Sequence, residues 1–235
     1  MKKTILTITF LTFSLFANTK ISFAAPTFEG FSASLGLGVV GSNSPFKETG
    51  YGENADDGID TDADIGKTKA IGRIDANYLI KSMNSNFLIG LGITYDLNSI
   101  KYKANTFGDD AYNEESGDSP VNVKLNKHYS IYLQPTYVIR EGTAVFGKIG
   151  YHHVNASFQD TYNTHYNGEE PTKFKLSGYG LGLGLQTFVT DNAFIKVEGN
   201  YIRYNNKSFI TPEEDYIVDF KTNQSEAIIS VGYKF

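Results

Sequence analysis

The residues best suited to chemistry in this 235-residue chain are its charged and imidazole side chains, because the sequence contains no cysteine. The absence of thiols excludes disulfides, thiolate nucleophiles and cysteine-ligated metal centres. Four histidines are candidate bases or metal ligands. His152 and His153 are adjacent, so on an extended strand they point to opposite faces and cannot chelate one ion together. His128 and His165 are isolated in the sequence. We therefore expect no metal and no other cofactor.

Carboxylates are concentrated in a few segments of the chain. Eighteen of the 26 Asp and Glu residues lie in four segments, 41–69, 103–124, 160–171 and 205–217. Asp60, Asp62 and Asp64 have the alternating spacing of a calcium-binding loop. A complete EF-hand loop also requires Gly at its sixth position and Glu at its twelfth, where this sequence has Ile65 and Ile71. These three carboxylates are therefore candidate loop cation contacts on a solvated acidic surface, rather than a dedicated calcium site.

A hydrolytic site would need a Ser and a His within proton-transfer distance, with a carboxylate in reach. His153 and Ser157 share one face of a strand, but about 13 Å of extended chain separates them. This distance rules out direct proton transfer within the pair. A catalytic partner on a neighbouring strand remains an alternative. We expect that the protein is not an enzyme, with modification of lipid A as the remaining catalytic alternative.

The elements that must position these groups are strands. Apolar residues recur with period two, whereas no pattern at i, i+3, i+4 and i+7 persists over a helix length. In 87–97, for example, Phe87, Ile89 and Leu91 begin an apolar series that alternates with small or polar residues. The pattern predicts eight strands, at 28–40, 70–80, 87–102, 125–139, 144–159, 172–188, 193–204 and 218–235.

The gaps between the predicted strands alternate strictly in length. The four acidic segments are the long gaps, and 81–86, 140–143 and 189–192 are the short ones. Such alternation is typical of an outer-membrane barrel with tight periplasmic turns and long external loops. We therefore predict an all-β fold, an eight-stranded antiparallel up-and-down transmembrane β-barrel, with both termini in the periplasm.

The polar face of the predicted strands carries glycines as well as charges, which indicates that it faces the lumen. Glycines such as Gly180 and Gly182 only weaken a strand exposed to solvent, but in a narrow lumen they leave room for larger side chains. The charged residues predicted to form a lumen network are Arg73, Asp75, Asp96, Lys148, Lys196, Glu198 and Glu226. Eight strands leave just enough interior for side chains. We expect a filled lumen, with a small ion path as the alternative.

The apolar face would then contact lipid, and aromatic residues on it fall near the two ends of the strands. We predict one girdle from Phe31, Tyr78, Phe87, Tyr137 and Phe235 and a second from Tyr95, Tyr129, Tyr151, Tyr179 and Tyr201. Aromatic girdles at both interfaces are typical of outer-membrane barrels.

The N-terminus has the pattern of an export signal. Two lysines precede a largely apolar stretch at 5–17, and residues 22–24 fit a small-x-small cleavage site. We predict a signal peptide at 1–24 and a barrel domain at 25–235. Loss of the three lysines in the signal changes the formal net charge from −5 to −8. A strongly negative mature chain argues against nucleic acid as a partner.

The last predicted strand alternates apolar residues with polar or small ones and stops on an aromatic residue. Its apolar members are Ala227, Ile229, Val231, Tyr233 and Phe235. This pattern resembles the terminal signal of outer-membrane barrels, and the resemblance implies recognition by the barrel-assembly machinery. Across 26–235 the architecture is similar to the OmpA-like membrane domain, OmpX and opacity-type surface proteins.

These observations predict a surface protein of the bacterial outer membrane that displays four acidic loops. Its expected role is structural, adhesive to host surfaces, or both, and a small ion-conducting channel is the alternative. The expected partners are outer-membrane lipid and lipopolysaccharide, the barrel-assembly machinery and host surface molecules.

Overall fold

The computed structural model describes residues 27–43, 46–50, 67–82, 86–106, 119–160, 172–210 and 216–235. The regular structure in these ranges is β-strand. None of their segments is a helix long and apolar enough to cross a membrane. The predicted signal peptide and the carboxylates Asp60, Asp62 and Asp64 lie outside the described residues.

Twelve strands are formed by these residues. They are β1 (Gly30–Asn43), β2 (Phe46–Gly50), β3 (Lys67–Lys81), β4 (Phe87–Asp96), β5 (Ile100–Thr106), β6 (Ser119–Arg140), β7 (Thr143–Asp160), β8 (Thr172–Phe188), β9 (Ala193–Tyr204), β10 (Lys207–Ile210), β11 (Tyr216–Phe220) and β12 (Asn223–Lys234).

Nine of these strands form the wall of a closed barrel. Their order is β4-β3-β1-β12-β9-β8-β7-β6-β5, and the additional pairing of β4 with β6 closes the sheet. Because β4 and β5 both pair with β6, they are successive parts of one wall strand. The pairings are antiparallel throughout. The fold is therefore the predicted eight-stranded antiparallel barrel.

Several strand limits differ from the prediction; β6, for example, begins at Ser119 instead of at 125, and two of the predicted strands are divided. The predicted strand 87–102 is interrupted after Asp96, where the side chain of Asn98 accepts from the Gly72 N–H at 2.8 Å and donates to the Ala70 carbonyl at 2.9 Å. The Asn98 side chain thus makes the hydrogen bonds to β3 that backbone groups make elsewhere in the strand. The predicted strand 218–235 is divided into β11 and β12.

A second sheet was not predicted. It has the order β10-β11-β2, and it joins the segment after β1 to the segment after β9. The backbone of the connection between β1 and β3 is therefore tied to that of the connection between β9 and β12.

Side chains alternate between the two faces of the wall as predicted. On the outer face, Leu37 and Leu183 are 73% and 77% exposed, whereas Gln134 and Lys196 on the inner face are at most 1% exposed. All ten predicted girdle aromatics are exposed on the outer face. Across neighbouring strands, Phe31 lies opposite Tyr78, Phe87 opposite Tyr137, Tyr95 opposite Tyr129, and Tyr151 opposite Tyr179.

The inner face fills the barrel in three layers. We call the end that holds the start of β1 and the end of β12 the lower end. There, Phe28, Leu79, Leu88 and Ala144 form a buried apolar cluster. At the upper end a larger apolar cluster consists of Val40, Ile71, Ile100, Tyr102, Val123, Leu125, Val154, Ala156, Leu176, Ile202, Tyr204 and Ile228. Buried polar and charged side chains lie between these two clusters.

Candidate functional site

The candidate site is the polar layer of the lumen, and the strand alternation positions its members. Arg73 and Asp75 are two residues apart on β3, and Lys196 and Glu198 are two residues apart on β9, so each pair points inward. Asp96 ends β4, Lys148 lies in β7 and Glu226 lies in β12. All seven residues are buried, and the structure brings all seven together.

Arg73 binds two carboxylates. Its Nε and Nη2 donate to Asp96 at 2.6 and 3.1 Å, and its Nη1 and Nη2 donate to Glu226 at 2.7 and 2.8 Å. Asp96 is the direct partner of Arg73 across the β3–β4 ladder. Glu226 is two strands away, and the residue of the intervening β1 that pairs with Arg73 is Gly36, which has no side chain. The planar guanidinium matches both carboxylates through paired donors.

A second ion cluster is centred on Asp75. Its carboxylate lies 2.7 Å from Lys148 Nζ and 3.0 Å from Lys196 Nζ, and it accepts from the Tyr132 hydroxyl at 2.9 Å. Lys148 Nζ is also 2.8 Å from Glu198 and 4.2 Å from the centre of the Tyr132 ring. The ammonium group is thus held by two carboxylates and an aromatic face.

Asn200 joins the two clusters into one network. Its Nδ2 lies 3.2 Å from both Glu198 and Glu226. Below the ion pairs, the Asn77 amide donates to Gln134 at 3.1 Å and accepts from Ser32 at 2.5 Å. Buried polar groups that are paired in this way fix one arrangement of the lumen.

Two histidines extend the Arg73 cluster, and the sequence analysis missed them. His128 Nδ1 lies 2.6 Å from Asp96, and its Nε2 lies 3.1 Å from Nδ1 of His152. Because a carboxylate only accepts, His128 Nδ1 carries the hydrogen. His128 was treated as isolated in the sequence. The alternation gave no signal for the contact, because Tyr129 lies opposite His153 in a register that shifts between Asn126 and Tyr129.

Asp96, His128 and Glu226 could in principle hold a metal ion, because they offer ligand atoms within 4.8 Å of one another. However, Arg73 is within 2.8 Å of both carboxylates and already supplies their counter-charge. A divalent cation would have to displace this guanidinium. The donor set therefore fits a structural ion-pair network better than a metal centre.

The described residues of the polar layer line a small cavity. A cavity of about 10 Å³ lies among Ser130, Tyr132, Lys148, His152 and Asn200. This volume has room for about one water molecule. The two apolar clusters lie above and below the layer, and at the lower end the Phe28 ring contacts the Phe188 ring at 4.9 Å.

A serine of a neighbouring strand, the arrangement that the sequence analysis left open, approaches His153 on the outer face. His153 Nδ1 lies 3.1 Å from Ser177 Oγ on the neighbouring strand, and the His153 ring is 5.1 Å from the Tyr129 ring. Ser157 lies opposite Lys124 and not near the imidazole. Among the residues with described side chains, no carboxylate bonds to His153.

The residues of the predicted assembly signal lie on the outer face of the last wall strand. Ala227, Ile229, Val231 and Tyr233 are exposed along β12, and Phe235 follows it. The Phe235 ring is 5.3 Å from the Tyr233 ring and 5.6 Å from the Phe31 ring of β1. Recognition of this segment by the assembly machinery stays a prediction.

Known proteins share this architecture. A family model described as "Outer membrane protein beta-barrel domain" matches residues 8–235. The outer membrane protein OprG from Pseudomonas aeruginosa is 12% identical, with 91% of this chain and 99% of that chain covered and a TM-score of 0.57. Ail, the attachment invasion locus protein of Yersinia pestis, is 18% identical, with coverage of 88% and 100% and a TM-score of 0.44. Neisserial surface protein A is 16% identical, with coverage of 88% and 98% and a TM-score of 0.46. No curated protein matches the chain. At 12% identity, the likeness to OprG shows the fold alone.

Proposed function

The chain belongs to the outer membrane protein beta-barrel family. We propose that it is a surface-display protein, in which a barrel with side chains packed in its lumen holds acidic loops outside the bacterial cell. Its role is to stabilise the envelope and to attach the cell to host surface molecules. The observation that carries this proposal is the network of buried ion pairs inside the lumen. A barrel closed by side chains is suited to present loops, not to pass solutes.

The lumen supports display over conduction in two ways. Its charged side chains are paired with one another, since Arg73 and Lys148 each contact two carboxylates. The apolar clusters above and below would also impose a desolvation cost on any ion that crossed them. For an ion to pass, the ion pairs would have to separate and the apolar clusters would have to move apart at the same time.

The lengths of the connections support an orientation with the loops outside. At the lower end, β6 and β7 are joined by residues 141–142 and β8 and β9 by residues 189–192. The connections at the upper end include the long acidic segments of the sequence. Bacterial outer-membrane barrels have short periplasmic turns and longer extracellular loops. The upper end of this barrel is therefore the extracellular end in the proposal, and both termini are periplasmic.

Attachment is assigned to the acidic loops because their bases are fixed by the wall and by the β10-β11-β2 sheet. Backbone pairing between β2 and β11 joins the first and last loop segments. The β10-β11-β2 sheet therefore gives the acidic loop sequences an ordered base. Because this base is already ordered before a partner binds, less conformational entropy is lost on binding.

The test expresses the protein in a non-adherent Gram-negative strain and measures attachment to cultured host cells. Deletion of residues 51–64, which leaves β2 in place, is expected to lower attachment at least tenfold. The matched control deletes residues 162–170 from another acidic loop and is expected to keep attachment. Gel mobility of unheated samples verifies that each barrel folds. Attachment no higher than with an empty vector, or unchanged after the 51–64 deletion, would contradict the adhesive role.

We also propose that the protein catalyses no reaction on lipid A, since the His153–Ser177 pair lacks an acid among the described side chains. Mass spectra of lipid A from cells that overexpress the protein should equal those from cells that express the Ser177→Ala variant. A new lipid A species that depends on Ser177 would overturn this part of the proposal.

A further inference from the structure

The outer face of the wall carries a group of exposed lysines above the upper aromatic girdle. They lie on β5, β6 and β8, and we call Lys101, Lys124, Lys127 and Lys175 the basic band. All four side chains are exposed. They take no part in the lumen network, because they lie on the outer face of the wall.

Two members of the basic band face each other directly. Lys101 is the cross-strand partner of Lys124 on the β5–β6 ladder. The same row continues from Lys124 to Ser157 of β7 and on to Lys173 of β8. Like charges placed directly opposite one another destabilise a sheet. An anion between the two lysines would remove this repulsion.

The described side chains around the basic band supply hydrogen-bonding groups. Asn126 pairs with Asn155, which in turn pairs with Lys175. Among the described side chains on the outer face of β5 to β8, at this height, there is no Asp or Glu. At the lower end, by contrast, exposed Glu141 and Asp191 are mixed with exposed basic residues. Among the described side chains, the excess of positive charge on the outer face is therefore confined to the upper end of β5 to β8.

The height of the basic band matches lipid head groups. Tyr129, a member of the upper girdle, pairs with His153, and Lys124 pairs with Ser157, four residues further along β7. For a tilted strand, four residues correspond to roughly 10 Å of height. Girdle aromatics lie at the membrane–water interface, and lysine side chains near it extend toward head groups. The ammonium groups are thus within reach of phosphates in the adjoining leaflet.

We propose that the basic band binds the phosphates of lipopolysaccharide in the outer leaflet, with Lys101 and Lys124 on either side of one phosphate. This proposal rests on the orientation given above, in which the upper end is extracellular, but it does not depend on adhesion. Paired lysines next to amide and hydroxyl groups suit a phosphorylated head group, which offers charge and several acceptor oxygens.

The test counts lipid A molecules bound to the purified full chain in a neutral detergent by native mass spectrometry. The Lys101→Gln/Lys124→Gln variant is expected to bind lipid A about 20-fold more weakly than the unmodified chain. The matched control is Lys207→Gln/Lys221→Gln, which removes the same charge from exposed residues flanking the β9–β12 connection, across the barrel in strand order. It should leave the affinity within about twofold. Lipid A without phosphates should bind equally weakly to all three proteins.

A second measurement separates binding from folding. In neutral detergent without anionic lipid, Lys101→Gln should raise the unfolding midpoint, because it relieves the repulsion with Lys124. Addition of phosphorylated lipid A should then stabilise the unmodified chain more than the variant. The proposal is overturned if the band and control variants lose affinity equally, or if dephosphorylated lipid A binds as well as the phosphorylated form. Host-cell attachment of the band variant should equal that of the unmodified chain, so failure here and failure of the adhesive role are distinguishable.

Discussion

Arg73 and Asp96 face each other across the β3–β4 ladder, and the Nε–H of Arg73 donates to the Asp96 carboxylate at 2.6 Å. The same guanidinium holds Glu226 from the other side at 2.7 Å. All three side chains are buried. Arg73 therefore pairs with two buried carboxylates at once.

Removal of Arg73 should be strongly destabilising. In Arg73→Met, the two buried carboxylates lose the guanidinium, which leaves Asp96 with His128 and Glu226 with Asn200, and the free energy of unfolding should fall by about 3–5 kcal/mol. The measurement is the urea unfolding midpoint of the refolded protein, followed by gel mobility. Arg203→Met is the control, because Arg203 is exposed on the outer face; its effect should stay within about 0.5 kcal/mol. Equal effects of the two substitutions would contradict the ion-pair account.

Close packing in the lumen gives a second prediction. A Cβ added to Gly92 would lie 2.7 Å from Cε2 of the Tyr132 ring, which is held by Asp75. Gly92→Ala should therefore destabilise the barrel by about 1–3 kcal/mol. Gly199→Ala is the matched control, since its nearest neighbour to an added Cβ is 3.7 Å away, and it should be neutral or slightly stabilising. A neutral Gly92→Ala would show that the ring is not fixed in this position.

The wall of the barrel could be predicted from the sequence because lipid demands strict alternation. Leu37 and Leu183 are exposed while neighbours such as Gly36 and Gly182 point inward, so period two identifies the faces. The break after Asp96 could not be predicted in this way. There the Asn98 side chain replaces backbone pairing with β3, and any polar residue in the sequence could be proposed for that role.

The members of the charge network could also be proposed from the sequence, but their pairing could not. Arg73 and Glu226 are 153 residues apart, and their contact depends on the order in which β3, β1 and β12 close the barrel. The contact between His128 and His152 depends likewise on the β6–β7 register, which includes a bulge between Asn126 and Tyr129. Sequence alternation gives the face of a residue, whereas contacts inside a barrel require the register.

Conduction gives a third prediction. In planar bilayers the unmodified chain should remain closed at all applied voltages, because the apolar clusters cover both ends of the polar layer. Stepwise conductance that changes in Lys196→Gln would instead favour the channel alternative, since Lys196 lies inside the lumen. A known porin reconstituted in the same bilayers controls for insertion.

The C-terminal signal gives a fourth prediction. Phe235→Ser should lower the amount of folded protein in the outer membrane several-fold, because assembly is expected to depend on the terminal aromatic residue. Phe31→Ser is the matched control, since Phe31 contacts Phe235 at 5.6 Å and loses similar packing without altering the terminus. Folded protein in outer-membrane fractions is measured by gel mobility. If the amount of folded protein falls equally in both variants, the loss of packing explains the effect, and recognition of the terminus does not.

The central claim is that the barrel has an apolar outer face in contact with lipid and a lumen filled with side chains. Single-cysteine spin labels on β12 test this claim most directly. The chain contains no native cysteine, so each of residues 228–231 can be labelled alone in bilayers. The account predicts that labels at 229 and 231 are accessible to oxygen, which concentrates in lipid. Labels at 228 and 230 should be shielded from both oxygen and a water-soluble nickel reagent. Nickel access at 228 and 230 would indicate an open pore, and nickel access at 229 and 231 would indicate a barrel that faces water; either result would contradict the account.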